Sequence, residues 1–219
     1  MISLESVDVD GDILKLQKNK IKLIKNCKQP YIMNFLNKEI IVFPNVFYPA
    51  TDTKLLIETV KTNGSELVLE PCSGTGVISI FLAKNVKEII ATDISNYAVE
   101  NIKANINKYN LNNIKVLQAD IFPKNDFKFD LIIINPPYSD RQANDLVERS
   151  MFDKGNSAVK KLLRECRNYL KKNGKIYLSW ANFADFEFIE SLAIENKFNI
   201  KILSELKKEN KIYRVYELT

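Results

Sequence analysis

The run Phe129-Asp130-Leu131-Ile132-Ile133-Ile134-Asn135, cut off by Pro136 and Pro137, constrains the fold of this 219-residue chain more than any other segment. Its β-branched residues favour a strand, and consecutive apolar positions place apolar groups on both faces of it. A strand buried on both faces requires helices above and below its sheet. The flanking sequence supplies them. Thr51-Asp52 can cap a helix running to Val60, with Leu55, Leu56 and Thr59 on one face. Apolar strand-like runs follow at 66–70, 88–93, 114–117, 175–180, 199–203 and 211–218. Helical patterns fall between them at 77–85, 96–109, 157–170 and 183–196, and Lys207-Lys208-Glu209-Asn210 reads as a hairpin loop.

Strands separated by helices of this length force right-handed crossovers. The expected fold is therefore α/β: a doubly wound, mainly parallel sheet of seven strands whose last strand is antiparallel. This domain is expected over 48–219. Residues 1–47 differ in texture. Leu14-Lys15-Leu16 and Ile21-Lys22-Leu23 alternate apolar with polar, and with the apolar run 40–43 that ends at Pro44 they predict β-hairpins and a small β-rich N-terminal extension. The lysines between 15 and 28 then form the wet face of a hairpin.

Composition removes several chemistries. There is no histidine, so no Ser-His-Asp or Cys-His nucleophile, His-ligated zinc or imidazole proton shuttle is available. Cys27, Cys72 and Cys166 are odd in number and widely spaced, which predicts neither a disulfide framework nor a metal site and suits a reducing compartment. No signal-peptide core opens the chain and no apolar stretch reaches the ~20 residues of a membrane span; the expectation is a cytoplasmic protein with no membrane and no metal. The net charge of +5 is mostly dispersed lysine. It permits a nucleic-acid partner without demanding one, because phosphate and base readout favour clustered arginine.

Ligands of doubly wound sheets bind at the carboxyl ends of the strands. The first such end delivers Glu70-Pro71-Cys72-Ser73-Gly74-Thr75-Gly76, in which Gly74 and Gly76 allow a tight turn and close approach of a ligand to backbone amides. Ser79 interrupts a GxGxxG pattern, which argues against a dinucleotide. The second end carries Asp93, able to accept both hydroxyls of a ribose or simply to cap the next helix. The third carries Asp120, placed to bond an adenine amine, with Ile121 or Phe122 against the ring; otherwise it is an ordinary loop aspartate. The fourth ends in Asn135-Pro136-Pro137-Tyr138. Two prolines terminate a strand, but termination does not explain an amide and a phenol flanking them at the mouth of the cleft.

With these residues in place the sequence resembles the class I S-adenosylmethionine-dependent methyltransferases, specifically the amino-methyltransferases with an Asn-Pro-Pro-Tyr motif. The resemblance covers about residues 48–219. It implies S-adenosyl-L-methionine as methyl donor, with Glu70, Cys72, Gly74 and Gly76 in the methionine-binding loop. Asp93 and Ile94 then face the ribose, Asp120 and Ile121 the adenine, and Asn135, Pro136 and Tyr138 carry the chemistry. Cys72 departs from the glycine usual in that family. Phe47-Tyr48-Pro49-Ala50-Thr51-Asp52-Thr53 is similar to the segment before the first helix in glutamine N5-methyltransferases and the methyltransferase small-domain group.

That similarity favours a protein glutamine side chain as acceptor, such as one in a translation release factor. The alternatives are adenine N6 or guanine N2 of RNA or DNA, or a small-molecule amine. The bacterial release-factor enzymes carry a helical N-terminal domain, where this sequence reads as hairpins. The polar segment 139–156 is expected to be a substrate loop, with Arg141, Arg149 and Asp153 as candidate contacts.

Overall fold

The computed structural model describes residues 9–124 and 126–219. Its main sheet has seven strands: β3 (Leu67–Pro71), β4 (Glu88–Asp93), β5 (Ile114–Gln118), β6 (Phe129–Ile134), β7 (Leu170–Ala181), β8 (Ile200–Lys208) and β9 (Lys211–Leu218). Their spatial order is β5-β4-β3-β6-β7-β9-β8. The first five are mutually parallel, and β9 inserts antiparallel between β7 and β8. The chain winds outward from β3 to β5, then returns to place β6 against the other side of β3. The switch point thus lies between β3 and β6, whose carboxyl ends carry the glycine loop and the Asn-Pro-Pro-Tyr turn.

The apolar run of β6 splits between two cores as its pleat requires. Leu131 and Ile133 face α2 (Thr51–Thr59), α3 (Val77–Leu82) and α4 (Asn96–Lys108), packing with Leu55, Leu56, Val77, Ile78 and Ile102. Ile132 and Ile134 face α6 (Ser157–Glu165) and α7 (Phe186–Glu195), packing with Val159, Leu162, Leu163, Trp180 and Ile189. All four isoleucine and leucine side chains are buried, Ile132, Ile133 and Ile134 completely. A short helix, α5 (Leu146–Arg149), interrupts the segment between β6 and α6.

The N-terminal expectation is corrected in part. Residues 14–23 do not form a hairpin; they lie within one helix, α1 (Val9–Asn26). Its buried positions are Ile13, Gln17, Ile21 and Ile24, spaced four, four and three apart, whereas Leu16 and Leu23 are exposed. The alternation came from pairing Leu14 and Ile21 with the exposed Leu16 and Leu23, and Gln17 masked the helical stripe. The run 40–43 is read correctly: β1 (Tyr31–Phe35) and β2 (Lys38–Val42) form an antiparallel hairpin. The outer edge of β2 is satisfied by α4. Asn105 Oδ1 accepts from Ile41 N (2.8 Å), Asn101 Oδ1 accepts from Phe43 N (2.8 Å), and both amide groups donate to Ile41 O. Two wholly buried asparagines so replace a missing sheet neighbour. Residues 1–8 of the expected extension lie outside the described residues.

Among the described residues no helix is long and apolar enough to cross a membrane, and no group of three or more carboxylates and cysteines is arranged to hold a metal ion.

Candidate active site at the sheet switch point

Two cavities meet at the switch point. The first, open at its mouth, is lined by Cys72, Gly74, Asp93, Ile94, Ser95, Asp120, Ile121 and Asn135. The second is lined by Pro136, Tyr138, Asp52, Phe183 and Tyr213, with Ile13, Leu16, Gln17 and Lys20 from α1. Phe47, Asn135, Pro137 and Ser150 line both, so Asn135 stands in the wall between them.

The floor of the first cavity is the turn after β3. Gly76 sits at φ 73° against Ile102 of α4, where a Cβ would come within 2.8 Å of that side chain, so only glycine lets α3 start there. Cys72 occupies the same left-handed region at φ 56°, an uncommon conformation for a residue with a side chain. A glycine would hold this conformation without that cost. Burial pushes the Cys72 thiol well up, so it stays protonated.

Asp93 ends β4 with both carboxylate oxygens aimed at backbone amides. Its Oδ2 accepts from Gly74 N (2.9 Å) and its Oδ1 from Ser95 N (2.9 Å). Burial raises its pKa, and the amides of Ser95, Gly74 and Ile94 oppose the rise. The carboxylate therefore braces the glycine loop while its remaining lone pairs face the cavity. Ser95 Oγ is buried against this same cavity with no partner. Both groups fit a hydroxyl-bearing ligand.

Glu70 and Gly76 do not line either cavity. Glu70 is buried beneath the loop, where its Oε2 accepts from the amide (2.8 Å) and hydroxyl of Ser79. Its Oε1 is buried and unpartnered, and burial lifts the carboxyl to about 8 against the pull of Ser79. Asp120 lines the cavity rim but is exposed, and Lys161 Nζ binds both its Oδ2 (2.8 Å) and its carbonyl (3.0 Å). Arg149 and Asp153 line this cavity too, while Arg141 lies in a separate groove beside α1.

The second cavity contains a polarised hydrogen-bond chain that sequence reasoning missed. Tyr138 donates its hydroxyl to Asp52 Oδ2 at 2.5 Å, and burial raises its pKa far above the usual value, helped by the Asp52 charge. Asp52 Oδ1 accepts from Thr53 N (2.8 Å) and Thr53 Oγ1 (3.4 Å). With its proton committed to Asp52, Thr53 Oγ1 accepts from Ala50 N (3.3 Å) and from Asn135 Nδ2 (3.1 Å). That fixes the amide, leaving Asn135 Oδ1 to accept from Ser179 Oγ of β7 at 2.6 Å with a lone pair to spare. The Tyr138 ring is held by Trp180 and Phe183, with centroids 5.3 and 5.7 Å away. Asp52 was read as a cap; the helix is instead entered from Ala50, and Asp52 turns inward.

The strand order, a ligand cleft at the switch point and an Asn-Pro-Pro-Tyr turn beside it place the chain among the Rossmann-like methyltransferases. The chain belongs to the methyltransferase small domain family, which it matches over residues 40–217. It is 36% identical over 142 residues to a putative protein N5-glutamine methyltransferase of Methanocaldococcus jannaschii, covering 62% of this chain and 72% of that one. A release factor glutamine methyltransferase of Mycoplasma mycoides is 33% identical over 150 residues, covering 61% and 53%. The ribosomal RNA small subunit methyltransferase C of Buchnera aphidicola is 34% identical over 212 residues, covering 94% and 55%. The chain thus spans about half the length of the last two.

Proposed function

We propose that this protein methylates a planar amide nitrogen, a glutamine side chain of a protein such as a translation release factor, using S-adenosyl-L-methionine. The observation that carries the reading is Asn135 in the wall shared by the two cavities, with its Oδ1 lone pair fixed in direction. The donor, when bound, supplies a sulfonium-activated methyl group. Gly74, Asp93, Ile94, Ser95, Asp120 and Ile121 would hold it in the first cavity, while Glu70 and Gly76 shape the loop from behind.

An amide nitrogen is a weak nucleophile because its lone pair is delocalised into the carbonyl. Asn135 Oδ1 and the Pro136 carbonyl are two acceptors for its two N–H bonds. Bound that way, the nitrogen lone pair points out of the amide plane toward the first cavity. Tyr138 offers its ring face to the planar group, and its hydroxyl stays protonated because Asp52 and burial both oppose ionisation. No base needs to act first, since the methylated nitrogen is acidic and sheds its proton afterwards. Positioning therefore supplies most of the rate enhancement, and good orientation contributes up to ~7–11 kcal/mol. The absence of histidine is no obstacle.

The Mycoplasma and Methanocaldococcus relatives support a glutamine acceptor. The Buchnera relative, matched over 94% of this chain, favours a second reading in which a base of ribosomal RNA fills the acceptor cavity. Labelled methyl transfer into a cell lysate, followed by parallel nuclease and protease digestion, separates them. Label released by protease and retained after nuclease supports the glutamine reading, and the converse overturns it. Asn135→Ala is expected to lower kcat/KM about a thousandfold while donor affinity by calorimetry changes less than about twofold. Near-normal turnover would overturn the mechanism.

A further inference from the structure

The acceptor cavity holds an ammonium group that forms no ion pair among the described residues. Lys20 projects from α1 into it, and Lys211 of β9 lines it as well. Neither is in an ion pair, although eleven ion pairs link other side chains among the described residues. Lys20 is half-buried, and its contacts are the faces of Phe47 and Tyr48, 5.8 and 6.0 Å from the ring centroids. Burial lowers its pKa, the Asp52 charge partly opposes that, and the charges of Lys211 and Lys208 add to the lowering. Among the described residues Asp52 is the one carboxylate lining this cavity; its oxygens are hydrogen-bonded by Tyr138 and Thr53, and its charge reaches Lys20 without a contact pair. A desolvated cation left unpaired costs stability. Two lysines against one carboxylate leave the described lining of the cavity net positive.

Resting on the glutamine reading above, we propose that the acceptor is a polypeptide segment bearing an aspartate or glutamate close to the methylated glutamine, and that Lys20 and Lys211 receive that carboxylate. Lysine fits this role as a compact point charge. No arginine lines the cavity, and a phosphate backbone is better held by its bidentate fork. Lys20 and Lys211 stand on different elements, α1 and β9, so the carboxylate bridges the two sides of the entrance. Lys208, in the same hairpin as Lys211, extends the positive field outward.

The test uses a peptide library with a central glutamine and three randomised residues on each side. The library is incubated with the full chain and labelled S-adenosyl-L-methionine, and methylated members are identified by mass spectrometry. Acidic residues are expected to be enriched about fivefold at one or more flanking positions. Lys20→Met and, separately, Lys211→Met should each reduce the enrichment, and Lys20→Glu should turn it toward lysine and arginine. Both methionine variants are compared so that a folding failure of one, seen in its melting curve, leaves the other to decide. Methylated peptides with no acidic preference, or a preference that neither methionine variant changes, overturn the inference and leave the glutamine reading standing. A library with no methylated member overturns both.

Discussion

Glu70 gives a measurable handle on the loop that floors the donor cavity. In the folded chain its carboxyl titrates at about 8 rather than 4.5, because burial disfavours the charged form. The folded state therefore keeps a proton that the unfolded state releases once pH exceeds about 4.5. Folding takes up that proton, and stability falls with rising pH through the whole interval up to about 8. Each pH unit is worth about 1.4 kcal/mol, so by pH 7 the group has removed about 3 kcal/mol. Glu70→Gln has the same shape and does not titrate. Its carbonyl keeps the Ser79 donors at Oε2, and its amide takes the unpartnered Oε1 position, with one extra buried donor costing about 1 kcal/mol. The variant should match the wild type near pH 5 and exceed it by about 2 kcal/mol at pH 7 and about 3 kcal/mol at pH 8. Urea unfolding of the donor-free protein, followed by fluorescence of the wholly buried Trp180, reads this difference directly. Parallel stability curves for the two proteins from pH 5 to pH 8 would refute the reasoning.

Asp52→Asn is nearly isosteric but replaces one of two acceptor oxygens with an NH2, so either Tyr138 or Thr53 meets a donor where it needs an acceptor. It should lower kcat about tenfold to a hundredfold with donor affinity unchanged, and equal kcat values would show that the charge does not orient the site. Cys72→Val places a β-branched side chain at φ 56° and should cost about 2 kcal/mol, whereas Cys72→Gly stays within about 1 kcal/mol of wild type. Matching melting temperatures for the two variants would remove the backbone explanation.

Most of the sheet was legible in the sequence because both of its faces are buried. The runs 66–70, 88–93 and 129–135 had no other way to hide their side chains, and each appears as a parallel strand within a residue or so of its expected ends. Strand β7 begins earlier than expected, at Leu170, because the polar residues before Lys175 join an open stretch of ladder that carries no apolar signal. Helix α1 was hidden for a related reason: its stripe is narrow, Gln17 breaks it, and lysines fill the rest.

The site divides the same way. Asn135, Pro136 and Tyr138 announced themselves by chemistry at a strand end, and the structure brings them to the second cavity beside Asp93 and Gly74 in the first. Thr53 and Ser179 carried no local signal, since a threonine in a first helical turn and a serine in a strand are ordinary. Only the fold, by placing α2 and β7 on either side of Asn135, makes them its partners. Asp52 was noticed and assigned to the wrong neighbour, because capping is local and the bond to Tyr138 spans 86 positions.

Among the described residues, helix α1 contributes four side chains to the acceptor cavity and none to the donor cavity. It is fastened to the segment after the Asn-Pro-Pro-Tyr turn, through Lys25 with Asp145 and Glu148, Gln17 with Ser139, and Ile21 against Met151 and Phe152. The two cavities share Phe47, Asn135, Pro137 and Ser150, but α1 belongs to the second alone. On the proposed reading the acceptor side is thus a two-piece mould. One piece, α1, can be recut by substitutions at Ile13, Leu16, Gln17 or Lys20 that leave Gly74 and Asp93 in place.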